Sequence, residues 1–112
     1  MKIIRDSITL DELKAMSLTF GNMVKVVVDV DRGIIAVDAE LHSDLEALLL
    51  DDGSKQKDIW GINLYPEMQG NEFIEFDSMI NMRPSQGNIS RGVDSRQIRD
   101  KIISILEERV GR

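Results

Sequence analysis

Cysteine is absent from the 112 residues, which removes disulfides, thiolate zinc sites, iron–sulfur clusters and cysteine nucleophiles together. Histidine occurs once, at His42, so any imidazole acid–base or metal chemistry has a single place to go. No apolar run approaches the roughly 20 residues of a membrane span, and Met1-Lys2-Ile3-Ile4-Arg5-Asp6 lacks the apolar stretch of a signal peptide. A cytoplasmic protein without a membrane partner is expected. Positive charge is also scarce. With 14 Lys and Arg against 20 Asp and Glu, the chain carries −6, which argues against nucleic acid as a partner, because phosphate-backbone binding depends on clustered cations displacing counterions. Repeats, low-complexity tracts and Pro/Gly/Ser linkers are missing, as are a dinucleotide fingerprint, a nucleophile elbow and a Ser-His-Asp arrangement. No cofactor is called for.

What is present suits one domain over 1–112. Apolar residues make up 42%, enough for a continuous core at this length without disulfide or metal. The charge is uneven: residues 1–82 hold 7 basic and 16 acidic side chains, and residues 83–112 hold 7 basic and 4 acidic.

Thr9-Leu10-Asp11-Glu12 has capping-box spacing and predicts a helix over about 10–18, stopped at Gly21-Asn22. Val24, Val26, Val28 and Val30 alternate along a strand, and Ile34 to Glu40 reads as its hairpin partner. An even loop, of two or four residues, sets Val30 against Ile35, Val28 against Val37 and Val26 against Ala39, with Lys25 opposite Glu40. Ser43-Asp44-Leu45-Glu46 repeats the capping pattern and opens a leucine-rich helix to about Asp51. Ile59 to Tyr65 predicts a third strand and Phe73 to Met82 a fourth. A polar segment, 83–92, then leads to a last helix over about 95–110, capped by Asp94 with Gln97. The order α-β-β-α-β-β-α implies an α+β fold: a four-stranded, mainly antiparallel sheet with helices packed on one face. Because Leu45, Ala47, Leu48, Leu49 and Leu50 are apolar almost all round, the second helix lies deep or is covered by a second copy, which makes a homodimer an expectation.

The run Trp60-Gly61-Ile62-Asn63-Leu64-Tyr65-Pro66-Glu67, with Phe73 to Asn81 and Arg83-Pro84-Ser85-Gln86-Gly87-Asn88, resembles a small prokaryotic family designated domain of unknown function 5674. The hairpin and Glu40-Leu41-His42 are similar too, so the likeness covers nearly the whole chain. It implies a one-domain prokaryotic protein and no particular activity.

Three constellations carry candidate chemistry. The loop 83–92 offers Arg83 and Arg91, the hydroxyls of Ser85 and Ser90, the amides of Gln86 and Asn88, and two glycines, an inventory suited to an oxyanion or an acidic partner, with Arg96 and Arg99 nearby. Read more plainly, these groups satisfy the loop's own backbone. Glu40, His42 and Asp44 supply oxygen and imidazole ligands that suit a divalent metal, although acids in a first helical turn are expected for the dipole alone. Asn63, Glu75, Asp77 and Asn81 form a polar strand face on which Glu75 and Asp77 stand roughly 7 Å apart. That separation suits acid–base work, and such faces are more often simply solvated.

The leading expectation is a non-enzymatic homodimeric module that binds a small anion or acidic partner through 83–92. The rival is a small enzyme on a phosphorylated or other anionic metabolite, with His42 or Asp77 as the base and Arg83 and Arg91 holding the substrate.

Overall fold

The β-branched run Val24–Asp29 forms strand β3 at the centre of a five-stranded antiparallel sheet, in the computed structural model that describes residues 1–111. Strand β4 (Ile34–Val37) lies on one side of β3 and β5 (Ile59–Leu64) on the other. Lys2–Ile4, β1, extends the β4 edge, and Ile74–Glu75, β6, extends the β5 edge. A separate parallel pair joins β2 (Ile8–Thr9) to β7 (Val110–Gly111), tying the two ends of the chain together.

The α+β class stands, with more strands than the sequence announced. Residues 2–4 add a strand that the short segment before the first helix did not advertise. The hairpin has the expected even, four-residue loop, and its register is shifted by two: Val26 pairs with Val37 and Val28 with Ile35. An even slip keeps every side chain on its predicted face. The strand stops at Val37 because Asp38 turns into the left-handed region at φ 73°, which aspartate tolerates better than most residues. Lys25 therefore pairs across β5 with Asn63 instead of meeting Glu40.

Helix α1 (Leu10–Thr19) starts at the predicted capping box, with Thr9 accepting from the Glu12 N–H. Helix α2 (His42–Asp51) begins two residues earlier than Ser43-Asp44 suggested, and no side chain caps it. Helix α3 (Arg96–Arg109) is capped by Ser95, whose hydroxyl accepts from the Ile98 N–H; Asp94 is instead turned back to the Ile89 N–H. None of these helices is long and apolar enough to cross a membrane.

The helices do not share one face, and here the sequence expectation is corrected. Leu13 of α1 and Ile102, Ile105 and Leu106 of α3 pack with Val26, Val28, Ile35, Trp60 and Ile62 on one side of the sheet. Leu45 and Leu49 of α2 pack with Val27, Ile34, Ala36 and Ile59 on the other. β3, β4 and β5 are thus buried on both sides over most of their length, so the alternation that set the valines on one face went with a second buried layer on the other. Leu45 and Leu49 are covered by their own sheet, whereas Leu50 of the same helix stays exposed.

The predicted fourth strand shrinks to Ile74–Glu75. Past it the chain crosses the edge of β5 at Gly61, where an added Cβ would sit 2.6 Å from Ser78 Cβ, and then turns through a short 3-10 helix at Met79–Asn81.

Candidate functional site

The uncovered part of the α2 face lies beyond the first turn of α2. Lys25, Asn63 and Glu75 face one another there across β3, β5 and β6, in one row of the sheet. With Leu41, His42, Ser43, Tyr65, Asp77 and Arg91 they line a cleft of about 320 Å³, rimmed by Met23, Met79 and Ile80. Its volume falls at the low end of small-molecule pockets, which run from roughly 300 Å³ upward.

Arg91 and Asp77 pair at the mouth: Arg91 Nε donates to Asp77 Oδ1 at 2.7 Å, and both side chains are about half exposed (55% and 41%). Asn63 is 4% exposed. Its Nδ2 donates to Glu75 Oε1 at 2.8 Å and to the Asp77 carbonyl at 3.2 Å, whereas its Oδ1 is buried without a partner. Tyr65 adds its hydroxyl to Glu75 Oε1 at 3.0 Å. Burial beside Glu75 holds that phenol above its ordinary pKa.

His42 opens α2, and its Nε2 lies 2.7 Å from the Ile62 carbonyl oxygen. A carbonyl only accepts, so Nε2 carries the proton and Nδ1 is left as a lone-pair acceptor. Burial lowers the imidazole pKa, Lys25 and Arg91 push the same way, and the Ile62 bond and Asp77 oppose them. The ring is therefore neutral near pH 7, and the charges lining the cleft are two cations and two carboxylates.

The sequence candidates sort unevenly. His42, Asp77 and Arg91, taken from three different constellations, meet in the cleft. The rest of the polar loop is turned on itself and its neighbours. Arg83 lies 4.2 Å over the Trp60 ring, with its guanidinium on the carbonyls of Gln56, Ile59 and Ile80. Gln86 donates to the Lys57 carbonyl. Asn88 donates to the carbonyls of Asn81, Ser90 and Gly92 and accepts from the Asp94 N–H, and Ser90 bonds Asp94. Ser85 is exposed and lies away from the cleft lining. Asn81 leaves the polar face altogether and is buried against Gly61. Glu40 and Asp44 do not converge with His42: among the described residues no three His, Asp or Glu side chains are grouped to hold a metal ion. Asn63 and Glu75, read from the sequence as one polar strand face with Asp77, line the cleft as well, whereas Lys25 and Tyr65 were missed; Lys25 is placed there by its pairing with Asn63, which the register that set it against Glu40 had hidden.

A family model described as a protein of unknown function, DUF5674, matches residues 2–109. The chain belongs to this family. Every residue lining the cleft lies inside the DUF5674 match. No curated protein and no solved structure matches the chain.

Proposed function

We propose that residues 1–112 act as a single binding domain that takes a small metabolite into the cleft at the start of α2 by an anionic group. Lys25 carries the proposal. It lines the cleft, and among the described residues its ammonium makes no ion pair or hydrogen bond. The uncapped start of α2 lies on the same wall, where the helix dipole favours negative charge. Arg91 supplies a second cation whose partner, Asp77, is exposed enough to be displaced. This narrows the anion-binding role of loop 83–92 to Arg91, and it requires no dimer. Titration of phosphate, sulfate and acetate into isotope-labelled protein should move the amide signals of Lys25, Leu41, His42 and Arg91, and Lys25→Met should abolish the shifts. Shifts scattered over the surface and unchanged in Lys25→Met would overturn the proposal, and light scattering on the same samples reads the oligomeric state.

One observation favours a second reading, an enzyme on an anionic metabolite. His42 is neutral, is fixed in one tautomer by Ile62, and holds Nδ1 free, which are the attributes of a general base. His42→Gln separates the two: an enzyme keeps ligand binding and loses turnover, whereas a binding domain has no turnover to lose.

A further inference from the structure

We infer that the ligand of this cleft is a small zwitterion, in which an anionic group stands a few bonds from a protonated amine. The inference rests on the anion-binding proposal above and adds the other end of the molecule.

The lining charges set the first condition. Lys25 and Arg91 are matched by Glu75 and Asp77, so a simple anion entering the cleft meets two carboxylates as well as two cations. A ligand that carries both signs is complementary to both pairs.

Position sets the second. Lys25, Asn63 and Glu75 are register partners on three successive strands, and neighbouring strands lie roughly 4.8 Å apart. The ammonium and the carboxylate therefore flank Asn63 at the two ends of one row, a span suited to an amino acid or an aminoalkyl phosphate.

Asn63 supplies the third condition. Its Nδ2 is spent on Glu75 and the Asp77 carbonyl, and its buried Oδ1 has nothing to accept. A buried acceptor without a donor is costly. The missing donor is an N–H or O–H, which a carboxylate lacks and an ammonium has, and because Oδ1 is sealed from solvent the Asn63 amide must shift toward the cleft to meet it. Glu75 uses only Oε1 for Asn63 and Tyr65, so its Oε2 is available to the same ammonium.

Matched probes test this on the full chain by calorimetry, with amide shifts locating the binding: phosphoethanolamine against ethyl phosphate and ethanolamine, and β-alanine against propionate. The expected result is that at least one zwitterion binds roughly tenfold or more tightly than its partner lacking the amine, as a charged hydrogen bond implies. Glu75→Gln, which keeps an acceptor for Asn63 and Tyr65, should erase that preference by weakening the zwitterions, with ethyl phosphate bound no more weakly than before because one repelling carboxylate is gone. If ethyl phosphate and propionate bind as tightly as their amino counterparts, the zwitterion inference is overturned and the anion proposal survives. If no probe shifts the cleft amides, both fall.

Discussion

Asn81 takes the place of a strand beside Gly61. Its Oδ1 accepts from the Gly61 N–H at 2.8 Å and its Nδ2 donates to the Gly61 carbonyl at 2.9 Å, so one side-chain amide performs both halves of a backbone pairing. The same Nδ2 donates to the Arg91 carbonyl at 2.9 Å. Asn81 therefore links the edge of β5, where β6 has ended, to the residue at the cleft mouth.

Removing that amide leaves two buried backbone groups of β5 unmet. Asn81→Ala should cost about 3 kcal/mol, the penalty for stranded buried polar groups. Gly61→Ala strikes the same junction from the other side, because its Cβ would lie 2.6 Å from both Cβ and Oγ of the buried Ser78; about 1–3 kcal/mol is expected for such overpacking. Urea unfolding of the two single variants and the double variant checks this. Since both act on one contact, the double should lose less than the two losses added together.

How legible this was depended on whether the signal was local. The Thr9–Glu12 box, the stop after the first helix and the parity of the hairpin are written within a few residues and can be read there. The strand from Phe73 to Met82 alternated cleanly, yet ends at Glu75, because the absent side chain of Gly61 admits Ser78 and Asn81 replaces the ladder; both residues lie far along the chain from Gly61. The surplus positive charge after residue 82 was visible, whereas its use was not. Arg99 donates to the Val93 carbonyl and Arg109 to that of Gly33, just as Arg83 meets three carbonyls. A charge count cannot distinguish a guanidinium offered to ligands from one consumed by backbone. The cleft was legible only in pieces: Asn63, Glu75 and Asp77 could be read as one polar face, but His42 and Arg91 are brought to it by a crossing of the sheet edge that no local pattern encodes.

Arg83 and Arg91 should consequently behave as opposites. Arg83→Ala removes a guanidinium that stacks on Trp60 and satisfies the carbonyls of Gln56, Ile59 and Ile80. A loss of about 2–3 kcal/mol is expected from the stacking and the stranded acceptors, with little change in anion affinity. Arg91→Ala breaks a half-exposed ion pair, so stability should move by less than about 1 kcal/mol while anion affinity falls. Paired thermal unfolding and calorimetry of the two variants read both quantities. A stable Arg83→Ala would mean that its contacts carry no weight.

Asp29 is 1% exposed at the end of β3, yet it is fully employed. Oδ1 accepts from the N–H groups of Asp31 and Arg32 at 2.9 Å each, and Oδ2 accepts from Ser54 Oγ at 2.6 Å. It fixes the β3–β4 turn and fastens the segment after α2 to it. Asp29→Ala frees two turn N–H groups and the Ser54 hydroxyl and should cost about 2–4 kcal/mol. Asp29→Asn keeps an acceptor for the turn and should lose less. Hydrogen exchange at Asp31 and Arg32 should quicken in Asp29→Ala and stay slow in Ser54→Ala, which disturbs only Oδ2.

The lowered pKa of His42 makes stability depend on pH in a window of its own. Folding favours the neutral ring because burial penalises its charged form. Above about pH 6.5, the ordinary value, the imidazole is neutral folded and unfolded and contributes its full share. As the pH falls below that, the unfolded chain takes up a proton that the folded chain resists, and stability declines by at most about 1.4 kcal/mol per pH unit until the folded ring also protonates. Asp52, held below its ordinary pKa first by hydrogen bonds from Arg5 and Arg32, and Asp94, held down first by Ser90, contribute above their unfolded values and lose that share only under about pH 4. With a single histidine in the chain, the decline between pH 6.5 and 5 belongs to His42. Urea midpoints measured across that range should fall for the wild type and stay nearly level for His42→Gln; equal slopes in the two proteins would show that the ring is not held neutral by its place in the fold.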